Sequence, residues 1–141
     1  ESHLGTVRNW QWTAPWVPYA ERIVRVAPTP ADIVLRDGDA ITQCGIDGES
    51  IWTPGHTPGS SSLLARLSDA SHIFVGDLIA NSRDPRIQRT YAQNWVELLP
   101  SVLKTLAFAP DFYHLGHGAE PLTLQQVTDM KIQGPAADAL P

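Results

Sequence analysis

Thr53-Pro54-Gly55-His56-Thr57-Pro58-Gly59-Ser60 decides how the rest of the chain is read. Ile51 and Trp52 lead into it, and Ser61 to Ala65 lead out, so strand-like residues stand on both sides. Two Pro-Gly pairs bracket one histidine. Proline fixes φ and glycine opens backbone space closed to other residues, so the turn is sharp and stiff. A histidine held there is presented at the end of a sheet, as a metal ligand or catalytic base requires. The same stretch also reads as a Pro/Gly-rich hairpin with an incidental surface histidine, and by itself it leaves both readings open.

Working outward, two further stretches share this character. Phe74-Val75-Gly76-Asp77-Leu78-Ile79 delivers an aspartate directly after a glycine. Leu115-Gly116-His117-Gly118 sets a histidine between two glycines, where a metal or substrate can approach closely. Each alone is also an ordinary turn. Together, His56, Asp77 and His117 leave strand-like segments through glycine-containing bends, which places them on one edge of a sheet. Imidazole and carboxylate are ligands that suit zinc, manganese or iron. His72 reads as a plain strand residue, and His114 as a structural residue or an outer partner of the site.

The pattern between these stretches predicts an α+β fold. Short strands are expected at Ile33 to Leu35, around Ala40 to Thr42 and Cys44 to Ile46, at Ile51-Trp52, from Ser60 to Leu67 and from Ser71 to Val75. Asp-Gly turns join several of them, as in an antiparallel meander. Asn81 to Arg89 reads as a polar loop. Tyr91, Trp95, Leu98, Leu99, Val102, Leu103 and Leu106 then recur at helical spacing. Pro100 either kinks that helix or splits it. Phe112 to Leu115 reads as a strand, and Leu122 to Met130 as a helix with Thr123 as its N-cap. The aromatic stretch from Trp10 to Tyr19, with three tryptophans among its residues, reads as irregular cover for a core edge or as an interface.

Composition narrows the function classes. The chain has 141 residues, 43% of them apolar and 18% charged, as a single globular domain has. Its formal net charge is -5 with no Lys/Arg cluster, which argues against nucleic acid as a partner. No apolar run reaches transmembrane length, so no membrane partner is expected. The one cysteine rules out an intrachain disulfide and fits a reducing compartment, with the cytoplasm favoured.

The order and spacing of the three stretches, 21 residues from His56 to Asp77 and 40 from Asp77 to His117, resemble the metallo-β-lactamase fold hydrolases. The resemblance covers roughly residues 31 to 130, the second half of that family's domain. It implies the C-terminal half of an αββα sandwich over residues 1–133, followed by a flexible tail at 134–141. It implies that His56 ligates a first metal, Asp77 bridges two metals and acts in catalysis, and His117 ligates the second. The implied cofactor is zinc, with iron or manganese as alternatives, as one or two ions. The family's His-x-His-x-Asp-His loop is not in this sequence. Ser2-His3-Leu4-Gly5 resembles its end, which makes His3 a fourth candidate ligand.

The expected function is hydrolysis of a small-molecule ester, thioester, lactone or amide by metal-activated water, incomplete in this chain alone. The alternative is a non-catalytic half-domain that binds a partner chain. Half a sandwich leaves one sheet face without cover, which is costly in water. A homo-oligomer or an associated N-terminal fragment is therefore expected.

Overall fold

The computed structural model describes residues 30–42, 45–81, 84–88, 92–118 and 120–130, together with Tyr19 and Ile23. The expectations for the Trp10 to Tyr19 stretch up to Pro18, for His3, for Cys44 and for the tail at 134–141 lie outside these residues. Among them the chain forms a mixed α+β architecture of six strands and two helices. The strands are β1 (Gly48–Trp52), β2 (Ser61–Arg66), β3 (Ser71–Asn81), β4 (Pro85–Ile87), β5 (Phe112–His117) and β6 (Leu122–Thr123). The helices are α1 (Trp95–Leu106) and α2 (Leu124–Thr128).

One sheet holds all six strands in the order β1-β2-β3-β5-β6, with β4 paired to β3. β1, β2 and β3 form the expected antiparallel meander, with Ile51 opposite Ser62 and Leu63 opposite Phe74. β5 lies parallel to β3. A parallel neighbour needs a long crossover, which β4 and α1 supply.

Strand alternation divides the sheet into two faces. Ile51, Leu64, Ile73, Val75 and Tyr113 point to one face and are buried there with Leu98 and Val102 of α1. Each fully buried side chain of this size contributes about 1.5–3 kcal/mol, so this layer holds the fold together. Trp52, Leu63, His72, Phe74, Phe112 and His114 lie on the other face by register. There Trp52 and Phe74 remain 47% and 45% exposed.

α1 starts where Asn94 caps it, its Oδ1 accepting from the Val96 amide at 3.1 Å. Glu97 in the first turn and Lys104 in the last complement the helix dipole. Pro100 does not split the helix. It sits inside one continuous segment on the exposed side, where water can satisfy the carbonyl its missing N–H leaves. Thr123 caps α2 as expected and completes a capping box, with Gln126 Oε1 accepting from the Thr123 amide at 2.8 Å.

Three expectations need correction. Ile33 to Leu35 is not a strand. Among the described residues no strand pairs with it, and all three side chains are exposed. Among the described residues around Ala40 to Ile46 only one isolated bridge forms, between Ala40 and Glu49. The stretch read as a polar loop after Asn81 contains β4, whose Pro85 sits on a strand that, among the described residues, has only β3 as a neighbour. Proline is tolerated there because an edge strand need not donate on its outer side.

Candidate metal centre

Each of the three residues of the candidate site is placed by a different local device. His56 sits in the loop between β1 and β2, and that loop is seated on the start of α1. The Gly55 carbonyl accepts from the Gln93 and Asn94 amides at 3.0 and 2.9 Å, and the His56 carbonyl accepts from Gln93 at 3.1 Å. Ser101 of α1 donates its hydroxyl to the Pro54 carbonyl at 2.7 Å. From the other side, the Trp52 indole donates to the Pro58 carbonyl at 2.9 Å. Thr57 and Ser60 close the turn through a hydroxyl pair at 2.8 Å.

Glycine at 55 is required twice over. Its φ is +134°, and a Cβ there would stand 2.7 Å from Leu98 Cδ2. The loop lies so close to the helix that no side chain fits between them.

Asp77 is not at a strand end, as the sequence suggested, but inside β3. Gly76 has a φ of +53°, and the pairing of β3 with β5 breaks register on both sides of it. Such an irregularity bends a strand and re-aims the next side chain. A Gly-Asp pair marks a turn in sequence, yet here the strand continues through it.

His117 ends β5 and faces Asp77 across the neighbouring Gly116. A Cβ at Gly116 would overlap Asp77 Oδ1 and crowd the Gly76 backbone. The glycine before His117 therefore makes room for the aspartate carboxylate. The sequence had pointed instead to access for a metal.

The structure brings the three together around one carboxylate. His56 Nε2 lies 3.4 Å from Asp77 Oδ2, and His117 Nε2 lies 3.4 Å from Asp77 Oδ1. Each carboxylate oxygen thus faces a different imidazole. The spacing exceeds the usual 2.7–3.2 Å of a hydrogen bond. It matches the edge between two donors on a tetrahedral zinc ion with bonds of 2.0–2.1 Å, which is about 3.3–3.4 Å. Among the described residues, however, no group of three or more His, Cys, Asp or Glu converges on one point that would hold a metal ion. The two His–Asp edges have the length that two donors on one metal ion would have, and the described residues place one such pair on each side of Asp77.

Exposure differs sharply across the site. The His56 side chain is 18% exposed, that of Asp77 31%, and that of His117 73%.

His72 and His114 do not belong to this group. His72 Nδ1 and His114 Nε2 form a hydrogen bond of 2.9 Å with each other, on the sheet face opposite α1. Sequence reading missed the braces Ser101, Gln93 and Asn94. They touch the loop from about 40 to 50 positions away, and only the helical stripe that docks α1 hints at them.

Comparison with known proteins gives the family. The profile of the metallo-beta-lactamase superfamily matches residues 3–117. A search of the curated proteins finds no match. Among solved structures, a metallo-beta-lactamase family protein from Thermus thermophilus is similar at 21% identity with a TM-score of 0.58, over 80% of this chain and 38% of that one. A metallo-beta-lactamase with a HARLDQ motif from Cronobacter sakazakii is 29% identical with a TM-score of 0.48, over 64% of this chain and 36% of that one. The chain therefore spans less than two-fifths of the length of either structure. With the profile matching most of its length and its sheet and helices sharing the fold of a family structure, this chain belongs to the metallo-β-lactamase superfamily.

Proposed function

We propose that this chain is part of a metal-dependent hydrolase acting on a small ester, thioester, lactone or amide. The supporting observation is the shared carboxylate, Asp77 between His56 and His117, in a member of a superfamily of largely hydrolytic enzymes. His56 and His117 would each offer Nε2, and Asp77 would offer one oxygen to each side, holding zinc, iron or manganese. When bound, the metal supplies water activation and stabilises developing negative charge. The residues of this chain do the positioning. α1 holds His56 through its loop, and the irregularity at Gly76 aims Asp77. Both histidines must be neutral at Nε2 to bind, so uptake of metal releases protons and weakens in acid.

The remaining donors come, in this proposal, from a companion segment that packs on the sheet face carrying Trp52 and Phe74. That segment is an N-terminal half or a second copy of the chain. Exposed aromatic residues alongside half-buried Leu63 and Phe112 support it. The net charge of -5 continues to speak against nucleic acid. No described helix is long and apolar enough to cross a membrane.

Elemental analysis of protein purified without chelator tests the metal. Zinc, iron or manganese in simple proportion to protein, lost in Asp77→Ala, is expected. Protein that stays metal-free after incubation with each ion sinks the reading. Native mass tests the companion. A monodisperse species at 15.4 kDa with a cooperative melt removes it.

A further inference from the structure

The pairing of β3 with β5 is regular at its start and irregular at the site. His72, Ile73 and Phe74 stand opposite Phe112, Tyr113 and His114 in step. The next pair is Gly76 with Leu115, so β3 advances two residues for one of β5. From there to the pair Ala80 and His117, β3 advances four residues for two. Asp77 lies inside that slack, and His117 ends it. A parallel ladder with such breaks does not fix its own register beyond them. A slip of one residue moves a strand by about 3.3 Å, as far as the whole separation of Asp77 from His117.

At the last regular point, side chains tie the strands together. His72 Nδ1 and His114 Nε2 share a hydrogen bond of 2.9 Å, diagonal across the pairs His72–Phe112 and Phe74–His114. Four rings form a continuous row over the junction. Phe112 stacks on His72 with centroids 5.3 Å apart, His72 meets His114 at 5.2 Å, and His114 stacks on Phe74 at 4.6 Å. Another described side-chain tie across this junction, besides the Asp77–His117 pair of the site itself, is Asp111 with Ser71, at the far end from the site. One ring must donate N–H and the other accept, so the pair is directional as packing alone is not.

We propose that His72 and His114 are positioning residues for the metal centre, their hydrogen bond pinning β5 against β3 just before the register breaks and so setting His117 against Asp77. This role rests on the metal reading above. Neither histidine touches the metal, and both act through the strands that carry the ligands. The Phe74 and Phe112 rings flank the two imidazoles, which lie at 32° to each other.

The 141-residue chain tests this with two substitutions at one position. His114→Phe keeps a ring to stack on Phe74 and removes the hydrogen bond. His114→Gln keeps a donor and an acceptor and removes the ring. Zinc affinity, read by competition with a chromophoric chelator, should fall about tenfold in His114→Phe, the scale seen for outer partners of metal ligands. In His114→Gln it should stay within about threefold of wild type. Equal affinity for wild type and His114→Phe overturns the role, as does a loss in Gln without a loss in Phe. Amide exchange on metal-free protein gives an independent readout. His114→Phe should speed exchange at Leu115 and His117 while β1 and β2 stay protected, and unchanged exchange at those two amides also overturns it. Wild type that binds no zinc removes the metal centre itself and this role with it. That outcome differs from one in which wild type binds zinc and both variants match it.

Discussion

The two histidines flanking Asp77 occupy opposite kinds of surroundings. His56 is mostly buried, in a loop that α1 grips through three amide contacts and the Ser101 hydroxyl. His117 is mostly exposed, at the end of a strand whose pairing has lost step. The carboxylate between them is equidistant from both. Neither side has more than two donors from the described residues, but one side of the site therefore has its backbone support finished within this chain. The other depends on what keeps β5 in place and on what else packs there. Rigidity at a candidate ligand comes from the elements behind it, and among the three residues of the site His56 is the one whose own loop is hydrogen-bonded to the start of a helix.

The largest effect should come from removing what the two sides share. Asp77→Asn takes the negative charge from both pairs and should weaken metal binding by more than about 100-fold, beyond the range of outer partners. Equilibrium dialysis of variant and wild type checks it. If only one equivalent is affected, Asp77 serves one side and the symmetric picture breaks. Next, Gly55→Ala attacks the finished side alone. It forces a left-handed backbone on a residue with a Cβ and drives that Cβ into Leu98. Strain and overpacking together should cost about 3 kcal/mol, or roughly 10 °C in Tm. A thermal melt near wild type would show that the loop is not seated as tightly as it looks.

The same contrast explains how far the sequence could be read. His56, Asp77 and His117 were legible because three glycine-marked stretches fell in a characteristic order, and Thr123 because capping is local chemistry. Position within a strand was less legible. Gly76-Asp77 reads as a turn, since nothing local shows that β5 runs alongside and carries β3 through the break. Ile33 to Leu35 has strand-forming residues but no partner strand among the described residues, and a strand without a partner does not form. Ser101 acts on Pro54 from 47 positions away. A contact of that kind has no periodicity to find.

Smaller effects separate the sides further. Gly116→Ala pushes on the Asp77 carboxylate, which can swing away, and on the Gly76 backbone, which must shift slightly, so stability should fall modestly. Zinc affinity should still fall about tenfold, as when an outer contact misplaces a ligand. A variant that binds zinc normally would mean that the carboxylate has room the structure does not show. Ser101→Ala removes one hydrogen bond behind His56 and leaves the buried Pro54 carbonyl without it. The cost should be about 1 kcal/mol, read by urea denaturation.

The smallest effect is a pH dependence, and it belongs to the unfinished side. Burial, and then the neighbouring His72, hold the His114 pKa below its ordinary 6.5. The unfolded chain thus takes up that proton first as pH falls. The associated stability is fully present above pH 6.5 and is lost as pH drops through the lower folded value. Two protonated rings at 2.9 Å would repel, and the Asp111 carboxylate near His72 offsets part of that charge. Asp111 is itself held below its ordinary 3.8 by hydrogen bonds from Ser71, so its own contribution disappears only in stronger acid, below about that value. Two windows follow, one for each of these ties across the β3–β5 junction. Melting metal-free protein from about pH 7.5 to about pH 5 should lower Tm in wild type more than in His114→Gln, which has no proton to gain there. Parallel curves for the two would mean that the ring pair does not sense acid, and that the loosely held side of the site owes its exposure to position alone.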